Sequence, residues 1–359
     1  MKLVMRLYRA ARPLLFCLDA EKAHGLSLQA LKNGFLPHVT NAPDPILAVE
    51  YFGLKFPNPV GIAAGYDKNG DVLAGLAGLG FGFLEAGSVT PKPQPGNPRP
   101  RVFRLVEDEG VINRLGFNSK GLDVAVRNFA NRPAGVIVGA NLGANKESED
   151  RIADYVLGME RLAPLASYVT VNISSPNTPG LRALQGRAEL EELLGRLTAK
   201  RAEMITAGAA SFPILLKIAP DLTDADKSDI AAAVLEMQID GLIIGNTTIT
   251  RPSSLISATK AEAGGLSGQP LKPIALAALK DLYQATGGRI PIVGAGGIQD
   301  ADDAYARIRA GASLLQLYSA MIFKGPYIAA DIAKGLAAHL HADGFGSVRE
   351  AVGVDTPIP

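Results

Sequence analysis

Four asparagines, Asn141, Asn172, Asn177 and Asn246, stand at the ends of three apolar runs, and Asn113 can join them from a loop. An amide side chain offers two N–H donors and an acceptor, so several together can read the edge of a planar heterocycle rich in N–H and C=O groups. One asparagine alone is usually a cap or a turn residue. A set at one mouth has no such explanation, because unpaired buried amides are costly. Lys68 and Lys217 belong to the same constellation, and Lys217 lies inside an apolar run. A buried ammonium needs a negative partner, unless it snorkels to the rim. No zinc-type or two-carboxylate cluster accompanies them, so an anion is expected and a metal is not. The run GAGG at 294–297 supplies the remaining chemistry. Glycine lets backbone amides approach a phosphate closely, and helix N-terminal N–H groups face it.

These residues need a frame that gathers them. Eight short apolar runs occur at 59–65, 83–91, 136–143, 168–176, 214–220, 241–248, 291–298 and 314–322, each ending in polar or small residues. Near-continuous apolar strands suit a parallel sheet buried on both faces. Segments such as 189–207, 224–238 and 271–285 have helical period and separate the runs. Alternating strand and helix means βαβ units, and eight units argue for an α/β fold of the (β/α)8 TIM barrel class over an open doubly wound sheet. Barrel chemistry sits at the C-terminal ends of the strands. There the sequence places Ala64, Gly65, Asp67 and Lys68; Gly87, Ser88 and Thr90; Asn141; Asn172, Ser174, Ser175, Asn177 and Thr178; Lys217; Asn246 and Thr247; GAGG; and Tyr318 with Ser319.

Composition narrows the field. The 359 residues are 47% hydrophobic and 20% charged, which suits a large core and excludes disorder. A net charge of +1 argues against nucleic acid as a partner. The single cysteine, Cys17, excludes an internal disulfide framework and cysteine metal sites. No apolar run is long enough to span a bilayer. Residues 1–40 carry six basic residues against Asp19 and Glu21, or +4, so the remaining 319 sum to −3. Leu3, Leu7, Leu14, Leu15 and Leu18 recur there at roughly helical spacing, followed by Leu26, Leu28 and Leu31. The expectation is a small N-terminal helical extension over 1–40, broken or kinked near Pro13, ahead of a barrel domain over 41–359. It either lies on a membrane or packs on the protein body. Interleaved arginines and the lack of a cleavage site argue against a signal peptide.

Several runs resemble the dihydroorotate dehydrogenases, in particular the membrane-associated, quinone-dependent class 2. They are GIAAGYDKNG (61–70), EAGSVTPKPQPGNPRPRVFRL (85–105), INRLGFNSKG (112–121), VNISSPNTPGLR (171–182), LLKIAPDL (215–222), GNTTITRP (245–252), GGLSGQPL (264–271) and GAGGI (294–298). VNISSPNTPG and NRLGFN are specific to the family, whereas GAGGI occurs in many phosphate-binding barrels. The resemblance implies a non-covalently bound FMN, and oxidation of dihydroorotate to orotate in pyrimidine synthesis with a membrane quinone as final acceptor. It places Ala64, Gly65, Tyr66, Asp67, Lys68, Ser88, Asn141, Asn172, Lys217, Gly245, Gly268, Gly297, Tyr318 and Ser319 against FMN. It places Lys68, Asn113, Arg114, Leu115, Gly116, Phe117, Asn172, Asn177, Asn246 and Thr247 against the pyrimidine. Ser175 matches the catalytic base, where class 1 enzymes use cysteine, with Thr178 as second member of a proton relay and Lys217 stabilising charge on the reduced flavin. His24, Arg104 and Tyr318 match a quinone tunnel formed with the N-terminal helices. Gly245 departs from a common Thr, Tyr66 from Leu or Phe, and Ser88 from Thr.

Two rivals share the fold. A 2-hydroxy-acid oxidase calls for arginine and a histidine base, and no histidine occurs between His38 and His339. A sugar-phosphate barrel would hold no flavin. The resemblance further implies a monomer attached peripherally to the cytoplasmic face of a bacterial inner membrane, since no Arg/Ser-rich, acid-poor presequence is evident.

Overall fold

The structure is a computed structural model and describes residues 2–178 and 180–358. Met1, Pro179, Pro359 and the Lys2 and Leu3 side chains lie outside the described parts, Leu3 being one of the leucines of the N-terminal pattern. Eight parallel strands close into a barrel: β1 (Val60–Ile62), β2 (Phe83–Val89), β3 (Val138–Leu142), β4 (Tyr168–Asn172), β5 (Ile214–Ile218), β6 (Gly241–Ile244), β7 (Ile292–Ala295) and β8 (Leu314–Leu317). Each pairs with its sequence neighbours, and β8 returns to β1 through Gln316 opposite Gly61. Every residue of these strands is buried, as strands covered on both faces require. The register sets Asn172 beside Lys217 across β4 and β5.

The eighth expected run ends early. Its strand stops at Leu317, and Ser319–Lys324 is a helix with Tyr318 at its N-cap. An apolar run can be strand or buried helix, and periodicity alone does not separate them. A three-stranded antiparallel sheet of Val102–Leu105, Gly110–Asn113 and Gly265–Gly268 overlies the barrel mouth residues. Its third strand comes from some 150 residues downstream, and nothing local in the sequence announces that pairing.

The N-terminal extension holds two helices, α1 (Lys2–Cys17) and α2 (Ala20–Lys32). Of the two expected alternatives at Pro13 a break does not occur, since α1 runs through it. Proline inside a helix costs about 3 kcal/mol, and anchors around Pro13 hold this one down. Tyr8 donates to the Ile322 carbonyl at 2.5 Å, Arg12 to that of Phe323 at 2.6 Å, and Phe16 sits edge-on to Phe323 with centroids 5.9 Å apart. Asp19 caps α2 through the Lys22 N–H at 2.9 Å. Glu21 on α2 is gripped by Arg101 at 2.7 Å, whose guanidinium also donates to the Pro95 and Asn97 carbonyls. The outer face differs: Leu7, Leu14, Leu18, Leu26 and Phe35 are exposed. No helix among the described residues is long and apolar enough to cross a membrane.

Candidate active site

A cavity of about 810 Å³ opens at the C-terminal ends of the barrel strands and continues beneath α1 and α2. That volume suits a sizeable organic ligand. All but four of the residues that the family resemblance assigns to the site line it; Asp67, Asn141, Arg114 and Thr178 do not.

Each exception has a structural reason. The Asp67 carboxylate turns into its own loop and accepts the Asp71 and Val72 N–H groups, both at 2.8 Å. The Arg114 side chain pairs with Glu262 at 2.7 Å and covers the Phe103 ring, so only its backbone remains near the site. Asn141 lies one layer deeper, and Thr178 is buried with its hydroxyl unpartnered among the described residues.

The polar floor is a continuous row of hydrogen bonds. Asn246 donates to Ser174 Oγ at 2.7 Å, and Ser174 donates to Asn172 Oδ1 at 2.6 Å. Asn172 Nδ2 donates to Ser88 Oγ at 2.9 Å, and Ser88 donates to Asn141 Oδ1. Asn141 Nδ2 then donates to Glu85 Oε1 at 2.8 Å. Glu85 carries no role in the sequence reading, because a lone acid in an apolar run shows neither its facing nor its partners.

Lys68 and Lys217 face this cavity, and neither has an ion-pair partner among the described residues. Burial, then the Arg101 charge, pushes Lys68 down to about 8. Burial also lowers Lys217, against the pull of the Glu85 carboxylate. Two buried lysines with no direct ion pair among the described residues call for an anionic ligand.

The far wall is backbone. Gly296 and Gly297 take φ of +94° and +72°, and a Cβ on Gly297 would stand 2.5 Å from Lys272 Cα. The buried Arg307, also missed in the sequence, holds this turn through the Gly296 carbonyl. Gly245 has φ +115°, and a Cβ there would meet the Ala295 carbonyl at 2.2 Å. The close approach of the chain after β6 to the end of β7 thus requires glycine at this position.

Over the cavity, Ser175 Oγ accepts the Asn177 N–H at 3.3 Å, and Asn177 donates to Asn113 Oδ1 at 3.3 Å. Phe117 is buried beside them. Toward the helices the lining becomes aromatic. His24 meets the edge of Tyr66 at 5.1 Å, Tyr66 meets Tyr318 at 5.5 Å, and Tyr66 donates to Ser27 Oγ at 3.0 Å. Burial, then the Lys68 charge, pushes His24 down to about 4, so its imidazole is neutral at neutral pH. Arg104 covers the Phe16 ring at 5.1 Å and donates to the Leu18 carbonyl at 2.8 Å.

Comparisons with known proteins agree on one family. A family model described as dihydroorotate dehydrogenase matches residues 46–340. A protein of Parvibaculum lavamentivorans named dihydroorotate dehydrogenase (quinone) is 55% identical over 98% of this chain and 99% of its own. One of the same name from Azorhizobium caulinodans is 53% identical over 98% of this chain and 99% of its own. The ligand-free crystal structure of the Eimeria tenella dihydroorotate dehydrogenase superposes with a TM-score of 0.89 at 42% identity, over 94% of this chain and 100% of that one.

Proposed function

The chain belongs to the dihydroorotate dehydrogenase family, and from that premise we propose how its residues carry out their reaction, the oxidation of dihydroorotate to orotate with a quinone as electron acceptor. The observation that carries the reading is one cavity with two parts: a polar floor with two lysines that have no ion pair among the described residues, and an aromatic arm under amphipathic helices. The first suits an anionic planar ligand and the second an apolar one.

FMN fits the first part. The glycine turn at Gly296 and Gly297 offers backbone amides to its phosphate, and Lys217 and the amide row border its ring. Ala64, Gly65, Tyr66, Lys68, Ser88, Asn172, Gly245, Gly268, Tyr318 and Ser319 complete that wall, with Asn141 acting through Ser88. When bound, FMN accepts the two electrons of the oxidation and passes them to quinone. Dihydroorotate lies under Asn113, Leu115, Gly116, Phe117, Asn177, Asn246 and Thr247, with its carboxylate on Lys68. Ser175 removes the C5 proton, and Thr178 is the next group in the proton's path. A serine hydroxyl is a weak base, so the outlet and the water-excluding Phe117 matter. Heat release of the flavin, identified by mass, tests the cofactor: FMN supports this assignment, and no flavin contradicts it.

Lys68 gives the reaction a pH signature. Only its ammonium attracts a carboxylate, and it deprotonates as pH rises through about 8. Orotate affinity therefore falls by about tenfold between pH 7 and 9. Titration by flavin absorbance checks this, and the dependence disappears in Lys68→Met. A flat profile in the unmodified protein would show that Lys68 does not hold the carboxylate.

Residues 1–40 form the quinone and membrane element, and 41–359 the FMN barrel. One face of α1 is pinned through Tyr8 and Arg12, while Leu7, Leu14, Leu18, Leu26 and Phe35 stay exposed beside basic residues. That suits the surface of an anionic membrane, with quinone entering past His24, Arg104 and Tyr318. The double substitution Leu14→Glu with Leu26→Glu is expected to abolish sedimentation with anionic vesicles and leave reduction of the flavin by dihydroorotate unchanged. Undiminished sedimentation would place the membrane face elsewhere.

A further inference from the structure

We propose that Glu85 is a positioning residue whose buried carboxylate fixes the direction of the amide row and thereby the donors and acceptors that Asn172 and Asn246 turn to the ligands. The proposal rests on the assignment of the cavity to FMN and dihydroorotate.

Glu85 sits in β2 with 1% of its surface exposed, below the cavity. Four side-chain donors from three other strands meet it. Asn141 Nδ2 on β3 reaches Oε1 at 2.8 Å. Tyr168 at 3.0 Å and Thr170 at 3.1 Å, both on β4, reach Oε2, as does Gln316 Nε2 on β8 at 2.8 Å. An ionised carboxylate only accepts, so it satisfies donors on both sides at once.

The direction of the row follows from this single fact. Asn141 must turn Nδ2 to Glu85, which turns its Oδ1 up to Ser88. Ser88 must then donate to Asn141, and its remaining lone pair accepts Asn172 Nδ2. Asn172 is left with Oδ1 toward Ser174, whose N–H reaches it at 3.2 Å and whose hydroxyl reaches it at 2.6 Å. Ser174 in turn accepts from Asn246. The Asn246 Oδ1 accepts the Thr247 N–H at 2.7 Å, so the upper end has the same sense. Every hydrogen bond of the row points down toward Glu85. Asn246 therefore keeps a defined second hydrogen and a defined second lone pair for the ligand, whereas both Asn172 Oδ1 lone pairs are taken by Ser174 and only its amide nitrogen, whose second hydrogen also reaches Asn141 Oδ1 at 3.4 Å, can turn to the ligand. The same carboxylate is the negative group that opposes the burial of Lys217.

Glutamine at 85 has nearly the same shape but an acceptor on one side only. Either Asn141 or the Tyr168–Thr170–Gln316 side then faces a donor, and the negative charge is gone. Moving the carboxylate one step along the row repairs both defects. In the double variant Glu85→Gln with Asn141→Asp, the glutamine oxygen still serves Tyr168, Thr170 and Gln316. Its amide donates to the new aspartate, which still accepts from Ser88 and Asn172.

The experiment measures FMN affinity by fluorescence quenching, and orotate affinity by its perturbation of the flavin spectrum, in the unmodified protein, in Glu85→Gln and in the double variant. Glu85→Gln is expected to bind orotate about tenfold or more weakly, and the double variant to recover most of that loss. A single variant that matches the unmodified protein, or a double variant no better than the single one, overturns the proposal. Should Glu85→Gln prove insoluble, the double variant decides: orotate affinity within about tenfold of the unmodified protein supports the assignment, and a folded double variant without it overturns it. If the unmodified protein itself ignores orotate, the functional reading fails instead, and FMN affinity in the same three proteins still judges Glu85.

Discussion

Ser175→Ala slows reduction of the bound flavin by dihydroorotate by about two to four orders of magnitude, the usual worth of a positioned general base, while FMN stays bound. Ser175 is buried over the cavity and accepts the Asn177 N–H, and its hydroxyl hydrogen has no acceptor among the described residues. The nearby Thr178 hydroxyl is buried without a partner among the described residues. An unsatisfied buried hydroxyl is costly unless something supplies it. A hydrogen bond from the Ser175 hydroxyl would do so, and would set Thr178 to take up the proton that Ser175 releases. Alanine removes the base without removing any wall of the FMN pocket, so the visible spectrum persists and only the stopped-flow rate collapses. A rate near that of the unmodified protein would move the base elsewhere.

The second large effect is expected at Lys217. Lys217→Met removes the positive charge at the floor but fills nearly the same space. Flavin reduction falls by about a hundredfold, because fixed charge where charge develops is the strongest electrostatic lever in a closed site. Yet flavin-free Lys217→Met melts within a few degrees of the unmodified protein. The ammonium has no ion-pair partner among the described residues, its burial is costly, and Glu85 keeps its four donors without it. A melting point far below the unmodified value would make Lys217 a structural cation serving Glu85 rather than a group poised for the flavin.

Much of this was legible in the sequence for identifiable reasons. Strands buried on both faces must be apolar along their length, so the eight barrel strands stood out as runs. Their polar ends gave Ser88, Asn172, Lys217 and Asn246, which line the cavity. Legibility failed where one signal serves two structures or where partners are distant in sequence. The run 314–322 is mostly apolar, yet it is half strand and half helix. Pro13 signalled a break that tertiary anchors at Tyr8 and Arg12 overrode. Asp67 and Arg114 sit in diagnostic motifs, but their side chains serve the loops that shape the site. Glu85 matters only through partners on other strands, and Arg307 only through the glycine turn after β7, and no spacing records those. The motif sets Tyr66 against FMN but shows nothing of its hydroxyl's partner. Its hydroxyl bonds Ser27 of α2, tying the helical extension to the first barrel loop.

One cavity is proposed to serve both half-reactions. The most direct test is anaerobic and uses the purified protein. Its flavin band near roughly 450 nm is expected to bleach on adding dihydroorotate and to return on adding a short-chain quinone. A flavin that dihydroorotate cannot bleach, or a bleached flavin that quinone cannot restore, would contradict it.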